Sequence, residues 1–236
     1  MKLDSAFRLG EDPNSMHHAQ CSSGSGPGVR LMEEQSESLE QQWFDRKSAL
    51  MEQMLGKEHE MVMHAIVPYA VGGGLDLYYY PNRIRGTAIA TKELSEMPGV
   101  GSSNSVYRCY ELVMFTRHPI DLDAARDKSH PFGEAHSRIQ AILNHIAPYS
   151  AQATLHPNET CEFPSDMPRV GGRCLIFDGY PAYSAKEPAE FGLMAVIEVF
   201  RSEMMYARKR GGANLLQRLK DKGHYPYSDL DRRPVA

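Results

Sequence analysis

No apolar stretch in this sequence approaches the roughly 20 residues that a membrane-spanning helix requires. One of the longest, Leu193–Val199, already contains Glu198. The N-terminal MKLDSAFRLGEDPNS also lacks the apolar core of a secretory signal, so the protein is expected in the cytoplasm and away from membranes. Basic residues are in deficit too. The 26 Lys and Arg against 30 Asp and Glu give a formal net charge of -4, which leaves no broad positive surface and argues against nucleic acid as a partner. The cysteines, Cys21, Cys109, Cys161 and Cys174, are widely spaced and form no CxxC pair, a pattern that favours reduced thiols in a cytoplasmic protein. No segment repeats at a fixed period, which excludes a solenoid.

Signatures of catalysis are equally scarce. Gly72-Gly73-Gly74 invites a phosphate-loop reading, but such loops open a helix, and here the glycines precede a tyrosine-rich, strand-prone run. A turn leading into a strand is the expected role. His59 and His64 in HEMVMH are five residues apart, about 140° round a helix, and cannot share a zinc as an i, i+4 pair would. No Gly-x-Ser-x-Gly elbow is present. Asp121 and Asp123 precede a helical turn and read as capping and solvated charges. His136 and His145 fall on opposite sides of one predicted helix. The basic run Arg208-Lys209-Arg210 suits the C-terminal end of a helix. Neither a metal nor any other cofactor is expected.

What the sequence does have is a foldable core: 236 residues, 42% of them hydrophobic. Residues 1–30 collect Ser, Gly, Pro and Asn and are expected to form a disordered tail. Residues 31–57 carry Leu39, Trp43, Leu50 and Met54 at helical spacing, which predicts an amphipathic N-terminal helix. The remaining 58–236 read as one folded domain. Strands are expected over Met61–Val67, Leu75–Tyr80, Gly86–Thr91 and Val106–Thr116, and again in GRCLIFDGY and GLMAVIEVFR. A second helix is predicted over Gly133–Ala147, where Ala135, Ile139, Ile142, Leu143 and Ile146 share a face. Ser202 is the expected N-cap of a third, and Ala213–Lys222 resumes as a fourth after Gly211-Gly212. The sum is an α+β fold with a mixed, mostly antiparallel sheet and helices packed on its faces.

From about Glu58 onward, the order of several strings resembles the Suppressor-of-Fused domain family in its bacterial form. The strings are TAIATKELSEMPG after a tyrosine-bearing hairpin, YELVMF, AHSRIQAILNHIA, FGLMAVIEVFRSEMMYARKRGGANLLQRLK and HYPYSDLDR. Thr91–Gly99 stands at the family's small-polar position, without its expected glycine. Tyr110-Glu111-Leu112 stands where an aromatic-Glu-Leu opens a central strand. Ser202-Glu203-Met204 stands where the last helices open, and Leu230-Asp231-Arg232 at the closing turn.

The resemblance implies a non-enzymatic protein. Animal members look like proteins that sequester a transcription factor by gripping an extended peptide, and bacterial members like immunity proteins that neutralise toxins. A protein partner, with a cognate toxin as the bacterial version, is therefore the expectation. Candidate contacts are Tyr79 and Arg83 at the hairpin, Glu93 and Glu96 in the following loop, and Asp178, Tyr180 and Tyr183 in FDGYPAYSA, because polar-aromatic loops on rigid elements favour recognition. Tyr180 and Tyr183 flank Pro181 and equally fit a turn. The rival expectation is a small cytosolic hydrolase or transferase with a site assembled from Asp178, Tyr180, Tyr183, His224 and Asp229.

Overall fold

The fold is described from a computed structural model covering the backbone of residues 27–182 and 187–236, with side chains from residue 38 onward. The expected tail lies almost wholly outside the described residues. Helix α1 spans Pro27–Leu55 and is followed by strands β1 (Val62–Met63), β2 (Leu77–Tyr80), β3 (Thr87–Ala90) and β4 (Tyr110–Thr116). Helix α2 (Pro131–Gln152) leads to β5 (Thr160–Glu162), β6 (Cys174–Tyr180) and β7 (Gly192–Val199), and helices α3 (Arg201–Arg210) and α4 (Gly212–Asp221) follow.

The strands form one sheet in the order β1-β2-β3-β4-β7-β6-β5. Every pairing is antiparallel except the central one, where Tyr110–Val113 of β4 runs parallel to Gly192–Ala195 of β7. A parallel pair needs a crossover, and α2 with the β5–β6 hairpin supplies it. This is the mixed, mostly antiparallel sheet expected from the sequence.

Both faces of the sheet are covered, so the central strands read as unbroken buried runs: all seven residues of β4 and all eight of β7 are inaccessible. On one face α2 packs Phe132, Ile139, Ile142, Leu143 and Ile146 against Leu112, Met114, Met194 and Val196. The other face takes Trp43, Met51 and Leu55 of α1, Met204 of α3, and Leu215, Leu216 and Leu219 of α4, against Val113, Phe115, Ala195 and Ile197. Burying each such side chain is worth about 1.5–3 kcal/mol.

The buried stripe of α1 differs from the expected one. Leu39 is 55% exposed and Leu50 and Met54 only flank the core, while Trp43, Lys47, Met51 and Leu55 face inward at i, i+4, i+8 and i+12. The N-cap of α3 is Phe200, not Ser202, which lies within the helix: β7 runs almost directly into α3, and Glu203 accepts the Phe200 N–H at 3.0 Å. The triple glycine closes a tight turn after Tyr69–Val71. Gly72 has φ +84°, and a Cβ on Gly73 would lie 1.9 Å from the Val67 carbonyl oxygen. It opens no helix.

Candidate functional site

Two polar assemblies stand out, one sealed and one open. The first is sealed. Glu111 and Lys47 are essentially inaccessible and lie 3.2 Å apart, between the start of β4 and α1. Lys47 Nζ also donates to the Lys92 and Ser95 carbonyls at 2.5 and 2.7 Å. The Glu111 carboxylate accepts from Thr91 Oγ1 at 2.7 Å, Ser95 Oγ at 2.6 Å, and the Ser95 and Leu94 amides at 2.9 and 3.2 Å. Trp43 Nε1 donates to the Ser95 carbonyl at 2.7 Å. With its lone pairs occupied, this carboxylate has nothing to offer a ligand; it fixes the 91–99 loop and α1 to the sheet. Beside it, Lys92 reaches Glu58 at 2.6 Å and lies over the rings of Tyr78 and Phe44, 4.5 and 4.9 Å from their centroids.

The second assembly is open. Beyond Val113 and Ala195 the two parallel strands separate, and the C-terminal segment enters the gap. Tyr227 bridges Phe115, the Ser228 amide donates to the Phe115 carbonyl at 2.8 Å, and the Ser228 hydroxyl donates to the Val196 carbonyl while accepting the Glu198 amide, each at 3.2 Å. The segment thereby shows a different chemistry to each side. Toward α2 it presents Asp229, which accepts Thr116 Oγ1 and the Arg117 amide, each at 2.7 Å, with the Arg138 guanidinium 3.6 Å away. Toward α4 it presents Tyr225 and Tyr227, both half-buried.

Around these tyrosines the structure gathers three of the residues singled out in the sequence. Asp178, near the end of β6, lies 3.5 Å from Lys220 Nζ, and its charge acts on the Tyr225 hydroxyl. Burial, and then the Asp178 charge, pushes the Tyr225 hydroxyl far above the usual tyrosine range. Tyr180 packs on Phe115 with centroids 4.7 Å apart. Burial raises its pKa and the nearby Arg83 charge works in the opposite direction. The Tyr227 hydroxyl donates to the Arg85 carbonyl at 2.9 Å, tying the β2–β3 turn to the C-terminal segment, and Arg117 stacks on the Tyr227 ring at 4.4 Å. Arg83 is exposed and makes no hydrogen bond or ion pair among the described residues.

The other candidates lie elsewhere. Tyr79 faces α2 in the core, its hydroxyl 2.9 Å from His136 Nε2, because alternation along β2 turns it away from the Tyr78 and Tyr80 side. Glu93 is half-buried and accepts the Asp76 and Lys92 amides at 2.6 and 3.1 Å. Burial, with Glu111 and Asp76 adding to it, pushes its carboxyl up to about 7 against the two backbone hydrogen bonds. Glu96 is exposed on the loop, and Tyr183 falls outside the described residues. Lys47, Tyr225 and Tyr227 were not singled out in the sequence. A lysine inside a helical stripe reads as a break in it, and within HYPYSD only His224 and Asp229 carry residue types that suggest a catalytic set.

The rival catalytic set does not converge. Asp178 and Tyr180 face α4, whereas Asp229 faces α2 on the other side of the sheet, buried and occupied by Thr116 and Arg117. The His224 ring accepts from Arg117 at 3.1 Å, and burial followed by the charges of Arg232 and Arg117 holds its pKa down. Among the described residues no group of three His, Cys, Asp or Glu side chains could hold a metal, and no helix is long and apolar enough to cross a membrane.

The architecture is similar to solved Suppressor-of-Fused structures. A chain of the Sufu–Fu complex crystal structure matches with TM-score 0.52 and 14% identity, over 84% of this chain and 92% of that one. Drosophila Suppressor of Fused matches with TM-score 0.47 and 17% identity, over 72% of this chain and 46% of that one. No protein-family model and no curated protein matches the sequence. At such identities the likeness concerns the fold.

Proposed function

We propose that this chain is a non-enzymatic protein-binding module that sequesters a partner protein through a stoichiometric interface. Its centre is the surface built by Arg83, Asp178, Tyr180, Tyr225 and Tyr227. One observation carries the reading: three sequence segments about 50 to 100 residues apart bring an exposed arginine and three half-buried tyrosines onto one end of the sheet. Arginine and tyrosine dominate the energetic centres of protein interfaces, since their planar, amphipathic surfaces bury large areas at low entropic cost. The fold it shares with a chain of the Sufu–Fu complex supports the same class of activity.

The finer proposal is a bacterial immunity-type role, with a toxin domain as the partner. The net charge of -4 suits a basic partner, and complementary fields raise association rates and specificity.

The test is affinity capture from a lysate of the source organism, with the purified chain as bait in moderate salt. One dominant stoichiometric partner, lost with Tyr180→Ala and Arg83→Ala, supports the module. A partner retained by both variants removes the proposed surface, and toxicity assays of that partner with and without this chain decide the immunity role. A bait that captures nothing, combined with turnover in a hydrolase screen abolished by Asp178→Asn, would establish the enzymatic rival.

A further inference from the structure

The α2 side of the sheet carries a second feature that the partner surface does not use. Two cavities meet where the turn at residues 164–173 approaches α2. One, of about 380 Å³, is lined by Lys128, Glu134, Ser137, Arg138, Ala141, Arg169 and Arg173. Its neighbour, of about 490 Å³, shares Arg169 and Arg173 and adds Met167, Phe200 and Leu230. The smaller wall thus holds four cations against the single carboxylate of Glu134, in a protein whose net charge is negative.

The cations divide into two kinds. Arg173 and Arg138 are held from behind: Glu198 takes Arg173 NH1 at 2.6 Å and lies 3.3 Å from Arg138 Nε, while Asp229 lies 3.6 Å from Arg138 NH2. Glu198 and Asp229 are each 2% exposed, so they set the position of the guanidinium groups from inside the protein. Each fork keeps further N–H donors for the cavity side. Lys128 and Arg169 are exposed and have no ion-pair partner among the described residues. Arg169 also adopts φ +67°, a left-handed conformation uncommon for a residue with a side chain, at the turn that puts it on both cavities.

We infer that this basic cavity is a binding site for a phosphate monoester, with the phosphate among Lys128, Arg138, Arg169 and Arg173 and the esterified group over Met167, Phe200 and Leu230. The guanidinium fork matches the oxygens of a phosphate in pairs, and the exposed Lys128 and Arg169 supply the positive charge that Arg138 and Arg173 already share with Glu198 and Asp229. At roughly 30 Å³ per water, 380 Å³ is far more room than one ion needs, and it falls in the range of small-molecule sites. The ester could be a free small molecule or a phosphorylated side chain of another protein, and the two share this chemistry.

Isothermal titration calorimetry on the full chain tests the site, with phenyl phosphate, inorganic phosphate, benzoate and a phosphoserine peptide with its unphosphorylated form as probes. Lys128→Ala/Arg169→Ala changes only exposed, unpaired side chains, and Lys209→Ala is the control on another basic surface. Expected is saturable, salt-sensitive binding of phenyl phosphate by the wild type and by Lys209→Ala, weakened about tenfold or more in the double variant. Benzoate should bind more weakly than phenyl phosphate. Tighter binding of the phosphopeptide than of phenyl phosphate would assign the protein source, and the reverse order the free ester. No saturable binding of phenyl phosphate at ~10 mM, equal binding by the double variant, or equal binding of benzoate would overturn the site. None of these results depends on whether the tyrosine surface captures a partner.

Discussion

Glu111 and Asp178 are both carboxylates on inner strands of the sheet, and both face the side covered by α1, α3 and α4. Their surroundings are opposite. Glu111 is fully enclosed, paired with Lys47 and hydrogen-bonded by Thr91, Leu94 and Ser95. Asp178 keeps 15% of its side chain exposed, and Tyr225 and Lys220, which meet it, are themselves at the surface of the C-terminal region. The strings around Glu111, TKELSE and YELVMF, are among those that carry the resemblance to Suppressor of Fused, as HYPYSD is, yet they serve architecture. In FDGYPA and HYPYSD, Tyr180, Tyr225 and Tyr227 are half-buried and reach solvent, while Ser228 and Asp229 are enclosed. Here the carboxylate in a motif-like segment, Glu111, is fully occupied, while Glu96 in the neighbouring loop stays exposed.

The sharpest way to break this contrast is Glu111→Ala. It leaves the Lys47 ammonium buried without its carboxylate, and such a loss costs about 3–5 kcal/mol. Urea unfolding should show a large fall in midpoint or loss of the folded state, whereas Asp178→Asn should change the midpoint little. Equal effects would erase the distinction between a sealed and an open carboxylate.

Next in size is Tyr180→Ala, expected to weaken binding of the captured partner by about 2 kcal/mol, roughly thirtyfold. Glu111→Gln, if folded, should leave that affinity unchanged. Titration of the partner against both variants reads the difference.

Glu93 sharpens the comparison by pH. Its folded-state carboxyl is raised to about 7, above the ordinary value of 4.5, so the folded chain holds the proton more tightly than the unfolded one. Its contribution to stability is therefore full at low pH and declines as pH rises from about 4.5 to about 7. Urea midpoints across that window should fall less steeply with pH in Glu93→Gln than in the wild type. Identical slopes would show that Glu93 ionises normally.

The smallest effect on stability is expected from Arg83→Ala, within about 0.5 kcal/mol because the side chain is exposed. Partner affinity should nevertheless drop. A stability loss as large as that of a core substitution would make Arg83 part of the architecture.

Periodicity made much of the fold legible. The apolar face of α2 and the buried runs of β4 and β7 were visible because hydrophobic spacing reports which side of an element is covered. The alternation in LYYY was legible as alternation, but not which tyrosine would turn inward; the register to β3, with Tyr79 opposite Ile89, sends it to the α2 side. The stripe of α1 was misplaced because its central contact is a lysine, which sequence patterns score as solvent-facing. Only a facing Glu111 and the loop carbonyls of Lys92 and Ser95 make that burial tolerable. Arg83 and Asp178 could be named from local chemistry, while their common surface with Tyr225 and Tyr227 could not.

By itself, then, the sequence determined the kind and most of the extent of the central elements, since helix and strand formation answer to local spacing and turn chemistry. It also set the absence of a spanning segment and the balance of charge. The tertiary structure alone decided that β4 and β7 lie side by side in parallel and then separate, and that the last residues of the chain fill the gap. That insertion places Tyr225 and Tyr227 on one side and Asp229 on the other. The reason is physical: such placement depends on long-range backbone hydrogen bonds, such as Ser228 to Phe115 across 113 residues, that no local pattern encodes.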